Sequence, residues 1–320
     1  MNRVSALLAG LILMLLLAAC GGGGGAPPPP PGPPPTGNIS TSTVLAVASR
    51  AVDIALQSGG FSTITNIVGL TVADSGSAGF SKPSFGQPGL VSTQAPETTG
   101  CEVSGFETRD GQFESPITVN AGDYIDYEWD NCDNGQGEII DGIIRMTFTE
   151  FEGNLLAGRI LLVVSLTAEN FVVNRSGDIS ETNGDLTLII DSRNQPETVI
   201  TTEGNSLVID RGESTESLSE FFNRITEDTS IFPSHFETEV TGTASSTLFS
   251  GTVNYDTPIF FEASGDGYPY TGEMRIVGTR NASIRLIALD PTNVRIEADY
   301  DGDGALDATI DTTWDALVDG

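Results

Sequence analysis

The sequence predicts an all-β protein in which an antiparallel meander forms a sandwich or a half-barrel, with one N-terminal helix packed on it. Three observations indicate this fold class. Apolar residues recur at every second position in many short segments after residue 100, which is the period of a strand. Asn, Gly, Asp and Pro, the usual residues of hairpin turns, separate most of these segments. Helical spacing is convincing in one stretch near the N-terminus.

Residues 1–19 have the composition of a bacterial export signal. Arg3 precedes an apolar run from Leu7 to Leu17, and this run of about 11 residues is shorter than the roughly 20 that cross a bilayer. The Ala-Ala pair before Cys20 resembles the lipobox of bacterial lipoproteins, whose cysteine is acylated and becomes the first residue after cleavage. The alternative is an ordinary secretory signal with a cysteine at this position by chance.

The lipobox resemblance implies that fatty acyl chains such as palmitate, attached at Cys20, hold the protein on a membrane. Each buried methylene contributes about 0.8 kcal/mol, so two or three chains give stable anchoring where one does not. Gly21 in place of aspartate implies sorting to the outer membrane, on its periplasmic face or at the cell surface. Residues 20–37 combine a glycine run with a proline run, which predicts a tether that lifts the folded part off the bilayer.

Residues 38–100 are predicted to contain a helix followed by a loop. Between Ser40 and Ser58, Ser and Thr are candidates for the N-cap and Gly59-Gly60 is a stop signal. Apolar residues recur there with helical spacing, at Val44, Leu45, Ala48, Ala51, Val52, Ala55 and Leu56. A single apolar stripe indicates that the helix docks on the β domain. Asp74 to Gly89 has the composition of a loop.

Residues 101–320 are predicted to form the antiparallel β domain. Ile125, Tyr127 and Trp129 alternate with acids, so this strand has one apolar and one acidic face. Further strands are predicted at Ile140 to Phe148, Arg159 to Val173, Asp185 to Ile190, Thr198 to Thr202, Ser206 to Ile209, Thr247 to Tyr255, Glu273 to Val277, Ser283 to Leu289 and Asn293 to Ala298.

Two segments of this domain depart from simple alternation. Leu161 to Leu166 is apolar on both faces, which predicts a strand under the helix or between two sheets. The spacing of Leu218, Phe221, Phe222 and Ile225 fits a helix, but the neighbouring segments are all strands. We therefore expect an irregular strand there.

Cys101 and Cys132 are the two cysteines that remain if Cys20 is acylated. In an exported protein such a pair is expected to form a disulfide, because the compartment is oxidising. Metal binding by two cysteines with no histidine nearby is a poorer interpretation.

The segment from Asp299 to Asp307 is the candidate metal site. Asp299, Asp301, Asp303, Ala305 and Asp307 occupy alternate positions, with a glycine after the third, and resemble the first nine positions of calcium loops such as the EF-hand. Carboxylate oxygens are the ligands that Ca²⁺ prefers, and glycine allows the sharp turn that makes them converge.

This loop also departs from the calcium pattern. Ile310 stands where a bidentate glutamate is expected, Asp311 follows it, and a strand rather than a helix precedes the loop. A calcium ion here would bind weakly, with a Kd of about 10⁻⁴ to 10⁻³ M, and would stabilise the C-terminal hairpin. The alternative is a hairpin turn without an ion, since Asp-Gly is also a strong turn dipeptide.

Charge and composition argue against several functions. The chain has 14 Lys and Arg against 44 Asp and Glu, a net charge of -30, whereas nucleic-acid binding needs clustered cations. This acidity attracts divalent cations, or is an adaptation to a salty habitat. His235 is the single histidine, which argues against zinc, and we expect it at a turn or a strand end. No Gly-x-Ser-x-Gly motif occurs, and carboxylate pairs are too abundant to indicate a glycosidase.

Several C-terminal segments resemble an uncharacterised family of exported β-rich proteins and lipoproteins of proteobacteria. They are Phe260 to Pro269, Gly272 to Ile276, Ser283 to Asp290, Asn293 to Glu297, Asp301 to Gly304 and Ile310 to Trp314. The span from Cys101 to Cys132 is similar to the cysteine pair of the same family. The resemblance implies a shared fold and no known activity.

These observations together predict a lipid-anchored cell-envelope protein with a non-catalytic role, in binding or in structure. One alternative is a half-barrel carrier of an apolar ligand such as lipid, indicated by Phe221, Phe222, Phe232, Phe236, Phe260 and Phe261. A glycan-active enzyme is the second alternative. The expected partners are the membrane, through the anchor, and Ca²⁺ as a structural ion, with no nucleic acid.

Overall fold

The computed structural model describes residues 34–53, 70–72, 83–85, 94–113, 119–133, 135, 137–154, 158–249, 251–265 and 267–318. Two helices lie in this part of the chain, α1 (Val44–Val52) and α2 (Trp314–Val318), with a 3₁₀ turn at Thr279–Asn281. The strands are β1 (Leu70–Val72), β2 (Pro83–Phe85), β3 (Gln94–Gly100), β4 (Ser104–Gln112), β5 (Tyr124–Asp133), β6 (Glu138–Asn154), β7 (Arg159–Arg175), β8 (Asp178–Asp191), β9 (Glu197–Asp210), β10 (Thr215–Asp228), β11 (His235–Ser246), β12 (Gly251–Ser264), β13 (Thr271–Val277), β14 (Ser283–Ala288), β15 (Asn293–Asp299) and β16 (Ala308–Thr313).

Strands β3 to β16 form one open antiparallel sheet of 14 strands, in which the spatial order follows the chain order. The remaining strands, β1 and β2, pair with each other. The predicted all-β class and antiparallel meander are therefore confirmed. Short polar turns join most neighbouring strands, as expected when hairpins follow one another along the chain.

One face of the large sheet carries the hydrophobic core. Along β7, for example, buried residues alternate with half-buried ones, and Val164 and Leu166 are almost fully buried. The same alternation continues on β14 and β15, whose inward residues join a single core cluster with those of β5 to β13. We call this apolar side the inner face and the opposite side the outer face.

A line of irregular residues crosses the sheet from β4 to β8. It consists of Gly105, Asn131, Gly142, Asn170 and Gly184, all with positive φ and lying on successive strands. Register shifts accompany the first four of them. A Cβ on Gly142 would lie 2.1 Å from the carbonyl oxygen of Asn170, so the backbones approach too closely there for a side chain. Bulges and glycine kinks of this kind bend a sheet. We call this feature the bulge line.

The predicted irregular strand at Leu218 to Ile225 is confirmed as β10. Its register against β11 shifts between Ser219 and Phe222, and Glu220 adopts a φ of 48°. The extra residue explains the helix-like spacing, because the buried position that follows Leu218 is Phe221 and not the residue two positions on.

The helices lie at the C-terminal part of the sheet. Helix α1 contacts β14 and α2, and it buries Val44, Val47, Ala48 and Ala51. Its Arg50 also forms an ion pair with Glu216 of β10 (3.5 Å). The docking of the helix on the β domain agrees with the apolar stripe. Residues 54–60, the predicted C-terminal end of this helix, lie outside the described residues.

Several finer predictions are wrong. Helix α1 contacts β14 rather than Leu161 to Leu166, and that strand owes its apolar character to inner residues that alternate with half-buried outer ones. A second helix, α2, follows β16 and was not predicted. Its five residues are too few to show a helical period in the sequence. The predicted loop region before residue 101 contains β3 and, at Pro83–Phe85, β2.

Strand boundaries were predicted less well near irregular residues. Thr198 to Thr202 and Ser206 to Ile209 belong to one continuous strand, β9. Thr247 lies in the turn between β11 and β12, so the strand predicted from Thr247 begins only at Gly251. Glycine and asparagine within a strand give the same signal as a turn, which explains the first error. The second arose because the turn after Ser246 carries Thr247, Leu248 and Phe249, which are not typical turn residues.

Candidate functional site

The acidic loop connects β15 to β16 at one end of the sheet. Asp299 is the last residue of β15 and is 6% exposed, whereas Asp307 directly precedes β16 and is exposed. The pairing of Ala298 with Ala308 closes the hairpin beneath the loop. The fold therefore places the first and the ninth position of the predicted calcium loop side by side.

Backbone N–H groups of the loop converge on the carboxylate of Asp299. Gly302 donates to its Oδ1 (2.7 Å) and Gly304 donates to its Oδ2 (2.8 Å). Burial by itself disfavours the charged form, but hydrogen bonds from Gly304, Gly302, Asp301 and Asp303 outweigh it and lower the pKa of Asp299 below its ordinary value. Asp299 thus orders the loop and stays ionised in mildly acidic solution.

Three of the predicted ligands come together. Asp299, Asp301 and Asp307 each offer a carboxylate oxygen, and these oxygens lie within 4.8 Å of one another. Tyr300 also donates its backbone N–H to Asp307 Oδ2 (2.7 Å). Three convergent carboxylates suit a hard divalent cation that completes its shell with water.

The other two predicted ligands, Asp303 and Ala305, lie outside this group of three. Asp303 accepts a hydrogen bond from the backbone N–H of Ala305 (2.7 Å), in a local turn of its own. Asp311, the acid nearest to the missing twelfth ligand, is held by Arg295 on the neighbouring strand, with a distance of 2.7 Å from Nε to Oδ1. The ion pair lowers the pKa of Asp311 and engages its carboxylate outside the group of three.

The loop rests against the turn at residues 278–282. A Cβ on Gly302, whose φ is 76°, would lie 2.2 Å from the carbonyl oxygen of Arg280, so the two backbones are in direct contact. The same turn receives the N-terminal segment, since Thr279 donates its N–H to the carbonyl of Gly37 (2.8 Å). The acidic loop and the N-terminal segment at Gly37 therefore both contact the turn at residues 278–282.

The predicted disulfide between Cys101 and Cys132 is confirmed, with a distance of 5.4 Å between the Cα atoms. It links the β3–β4 turn to β5, next to Asn131 on the bulge line. Cys132 is buried in the core, and Cys101 packs against it.

His235 is the first residue of β11, as expected for a strand end. Its Nδ1 lies 3.2 Å from the hydroxyl of Tyr270, which also donates to Glu262 (3.2 Å). Burial and the nearby charge of Glu262 raise the pKa of Tyr270. The arrangement is a hydrogen-bonded cluster on the outer face, at the end of the sheet opposite to the acidic loop.

The phenylalanines that motivated the carrier hypothesis do not share one environment. Phe221, Phe236 and Phe261 are buried on the inner face. Phe232, in contrast, is fully exposed in the β10–β11 turn, and Phe260 lies on the outer face with the guanidinium of Arg224 5.7 Å from its ring centre. These phenylalanines therefore do not line one common binding surface.

Sequence reasoning missed three buried polar side chains on the inner face. Glu216 of β10 lies between Arg50 and Arg211, at 3.5 and 3.6 Å, and so links α1 to the sheet. Glu227 lies further along β10, and Thr238 lies on the neighbouring strand β11. For Glu227 the signal was hidden because the bulge at Glu220 shifts which of the later residues of β10 face inward.

Neither helix in the described part of the chain has the length and apolar character that a bilayer crossing requires. Comparison of this chain with protein-family models, with curated proteins and with solved structures finds no match.

Proposed function

We propose that the chain is an exported protein, anchored by lipid at Cys20 in the bacterial cell envelope, with a role in binding or structure rather than catalysis. The disulfide between Cys101 and Cys132 is the observation that carries the proposal, because such bonds persist in oxidising compartments. The lipobox-like residues before Cys20 supply the anchor, and the glycine and proline run after it supplies the tether.

The anchor is tested by expressing the full chain in a bacterium with two membranes and feeding radiolabelled palmitate. The wild-type protein is expected in the membrane fraction with the label attached, and in the outer membrane after separation on a density gradient. Cys20→Ser should lose the label and the membrane association. The double variant Cys101→Ser/Cys132→Ser is the control and should keep both. An unlabelled wild-type protein contradicts the proposal.

The acidic loop is proposed to hold a weakly bound structural Ca²⁺ through Asp299, Asp301 and Asp307. Convergence of their carboxylates within 4.8 Å supports this role. In an empty loop the three negative charges repel one another, so a cation would stabilise the hairpin between β15 and β16. A site with so few protein ligands is expected to bind Ca²⁺ weakly, with a Kd in the range of about 10⁻⁴ to 10⁻³ M that extracellular calcium-binding modules have.

The ion is tested by thermal melts of the protein in calcium and in chelator. Calcium is expected to raise the Tm by several degrees, and Asp301→Asn should abolish the rise. Asp303→Asn is the matched control, because its carboxylate lies outside the group of three, and it should keep the rise. Equal melts in calcium and chelator would leave Asp299 to Asp307 as a hairpin turn.

A further inference from the structure

Two glutamates on the outer face lie next to each other without an arginine to neutralise them. Glu237 of β11 and Glu262 of β12 pair directly across the sheet, and like charges in this position repel each other. Among the described residues, the basic side chain within ion-pair distance of Glu237 is His235. Glu239, two residues further along the same face of β11, differs because Arg224 pairs with it (2.7 Å).

His235 lies on the same face as these glutamates, and a tyrosine fixes its ring. Its Nδ1 is 3.2 Å from the hydroxyl oxygen of Tyr270, which is also 3.2 Å from Glu262 Oε2. A carboxylate can only accept, and it attracts the single hydroxyl proton more strongly than a neutral imidazole does. Tyr270 therefore donates to Glu262 and accepts from the imidazole, so the proton of the neutral ring is on Nδ1.

This tautomer leaves Nε2 of His235 as an electron-pair donor. The nitrogen lies 3.7 Å from Glu237 Oε1, so two donors of electron pairs face each other and neither can give the other a hydrogen bond. Zinc binds imidazole nitrogen at about 2.0 to 2.1 Å and carboxylate oxygen at about 2.0 to 2.2 Å. The separation of 3.7 Å therefore suits one metal ion bound to both atoms.

Solvent reaches this group of side chains. The side chains of His235 and Glu237 are 24% and 47% exposed, and Glu262 is half-buried. A ligating histidine usually donates its second ring N–H to a neighbouring acceptor, which holds the ring in place. Tyr270 is that acceptor here. The outer face thus offers an accessible nitrogen, two carboxylates and a contact that orients the ring.

We propose that His235 Nε2 and Glu237 bind a divalent transition-metal ion, with Glu262 as the third protein ligand and water completing the shell. Glu262 keeps Oε2 on the hydroxyl of Tyr270 and offers Oε1 to the ion. One imidazole and two carboxylates suit ions such as Zn²⁺ and Cu²⁺. A single histidine argued against such a site in the sequence, because the second carboxylate lies on a different strand.

The metal site depends on neither the lipid anchor nor the acidic loop. The loop lies at the opposite end of the sheet and contains carboxylates without a histidine. An ion that prefers oxygen, such as Ca²⁺, suits the loop, whereas the imidazole favours a transition metal.

The test is a calorimetric titration of ZnCl₂ into the untagged full-length chain that carries Cys20→Ser, so that no free thiol competes for the metal. Excess CaCl₂ is present to occupy the acidic loop. We expect saturable binding of one equivalent, which His235→Gln and Glu237→Gln each weaken at least tenfold and Glu262→Gln weakens several-fold. Glu239→Gln is the matched control, because Arg224 engages that carboxylate, and it should leave the affinity unchanged.

Asp301→Asn separates this site from the acidic loop. It should leave the zinc affinity unchanged, because Asp301 belongs to the loop. A loss in Asp301→Asn with no loss in His235→Gln would place the zinc in the loop and overturn the proposal. Absence of saturable binding also overturns it, as does an equal loss in Glu239→Gln. If His235→Gln fails to fold, judged by circular dichroism, an unchanged affinity in Glu237→Gln overturns it.

Electron paramagnetic resonance with Cu²⁺ identifies the nitrogen ligand. His235 is the single histidine of the chain, so an imidazole coupling in the spectrum can come from this residue alone. The coupling should be present in the wild type and absent in His235→Gln, and its absence in the wild type overturns the proposal. Tyr270→Phe keeps all three ligands but removes the acceptor at Nδ1, and it should weaken zinc binding about tenfold.

Discussion

The large sheet has two parts that build the same inner face in different ways. From β4 to β12, register shifts interrupt most of the strand pairs and residues with positive φ bend the sheet. From β13 to β16 the pairing runs without a shift, and helices cover the inner face. The bulged part therefore depends on backbone positions that exclude side chains, whereas the regular part depends on large side chains that fill space.

The largest expected effect comes from removing Trp314 in the regular part. Its ring is fully buried against Phe261 and Tyr268, and its Nε1 donates to the carbonyl of Pro269 (3.1 Å). Trp314→Ala should lower the free energy of unfolding by about 4 kcal/mol, through the cavity and the lost contacts. Urea denaturation measures it. Leu306→Ala, at an exposed position, is the control and should change stability by at most about 0.5 kcal/mol.

Removal of the disulfide tests the edge of the bulged part. Cys101 and Cys132 are separated by 31 residues, and loss of the closed loop is expected to cost about 3 to 4 kcal/mol in the chain-entropy model. The double variant Cys101→Ser/Cys132→Ser should therefore unfold at lower urea concentration than the wild type. The reduced wild-type protein should behave in the same way, and a reduced protein as stable as the oxidised one contradicts the expectation.

Adding one methyl group at the bulge line is the matching test of the bulged part. Gly142→Ala combines an unfavourable φ of 100° with a contact of 2.1 Å to Asn170, and it should lower stability by about 3 kcal/mol. Gly177→Ala is the control, with a φ of 98° and no atom within 4 Å of the new Cβ. It isolates the backbone strain, about 1 kcal/mol. Equal losses in both variants would show that close packing does not set the bulge.

A smaller effect is expected from Asp299 at the end of the regular part, and it depends on pH. The pKa of Asp299 is lower in the folded protein than its ordinary value of 3.8, so its stabilising effect is present above pH 3.8 and is lost as pH falls through the folded pKa. Asp299→Asn should therefore melt below the wild type at pH 7, with a gap that closes below about pH 4. Measurement in chelator removes any contribution of bound calcium, and a gap independent of pH contradicts the assignment.

The smallest effects are expected on the outer face, where the two parts are alike. Arg145 pairs with Asp126 in the bulged part and Arg275 pairs with Asp256 where the regular part begins, and both arginines are more than half exposed. Arg145→Gln and Arg275→Gln should each cost about 0.5 kcal/mol in low salt, and less in 0.5 M NaCl. A much larger loss in one of them would show that the two parts also differ on the outside.

The same comparison explains what the sequence could predict of the fold. In the regular part, the strands predicted from Glu273, Ser283 and Asn293 end within one residue of β13, β14 and β15. In the bulged part, the strand predicted from Asp185 misses the beginning of β8, because Gly184 has the signal of a turn. Whether a glycine bends a strand or reverses the chain depends on the partner strand, which local sequence does not contain.

The candidate sites follow the same rule. The convergence of acids in this loop was predictable, because the three carboxylates lie close together in sequence and the hairpin needs no distant partner. The inward orientation of Glu227 was not predictable. The bulge at Glu220 shifts the alternation of inward and outward residues along the rest of β10, and the local sequence gives no signal for this bulge. A buried carboxylate in a chain with 44 acids has no distinguishing mark in the sequence.

The order of the strands has a consequence for how the protein folds. Each pair in the large sheet joins neighbours along the chain, so every pairing closes only a short loop and costs little chain entropy. The N-terminal segment is different, because Gly37 binds Thr252 and Thr279, and α1 contacts β14 and α2. During synthesis, α1 precedes every strand, yet it can make these contacts only after β14 and α2 have been synthesised.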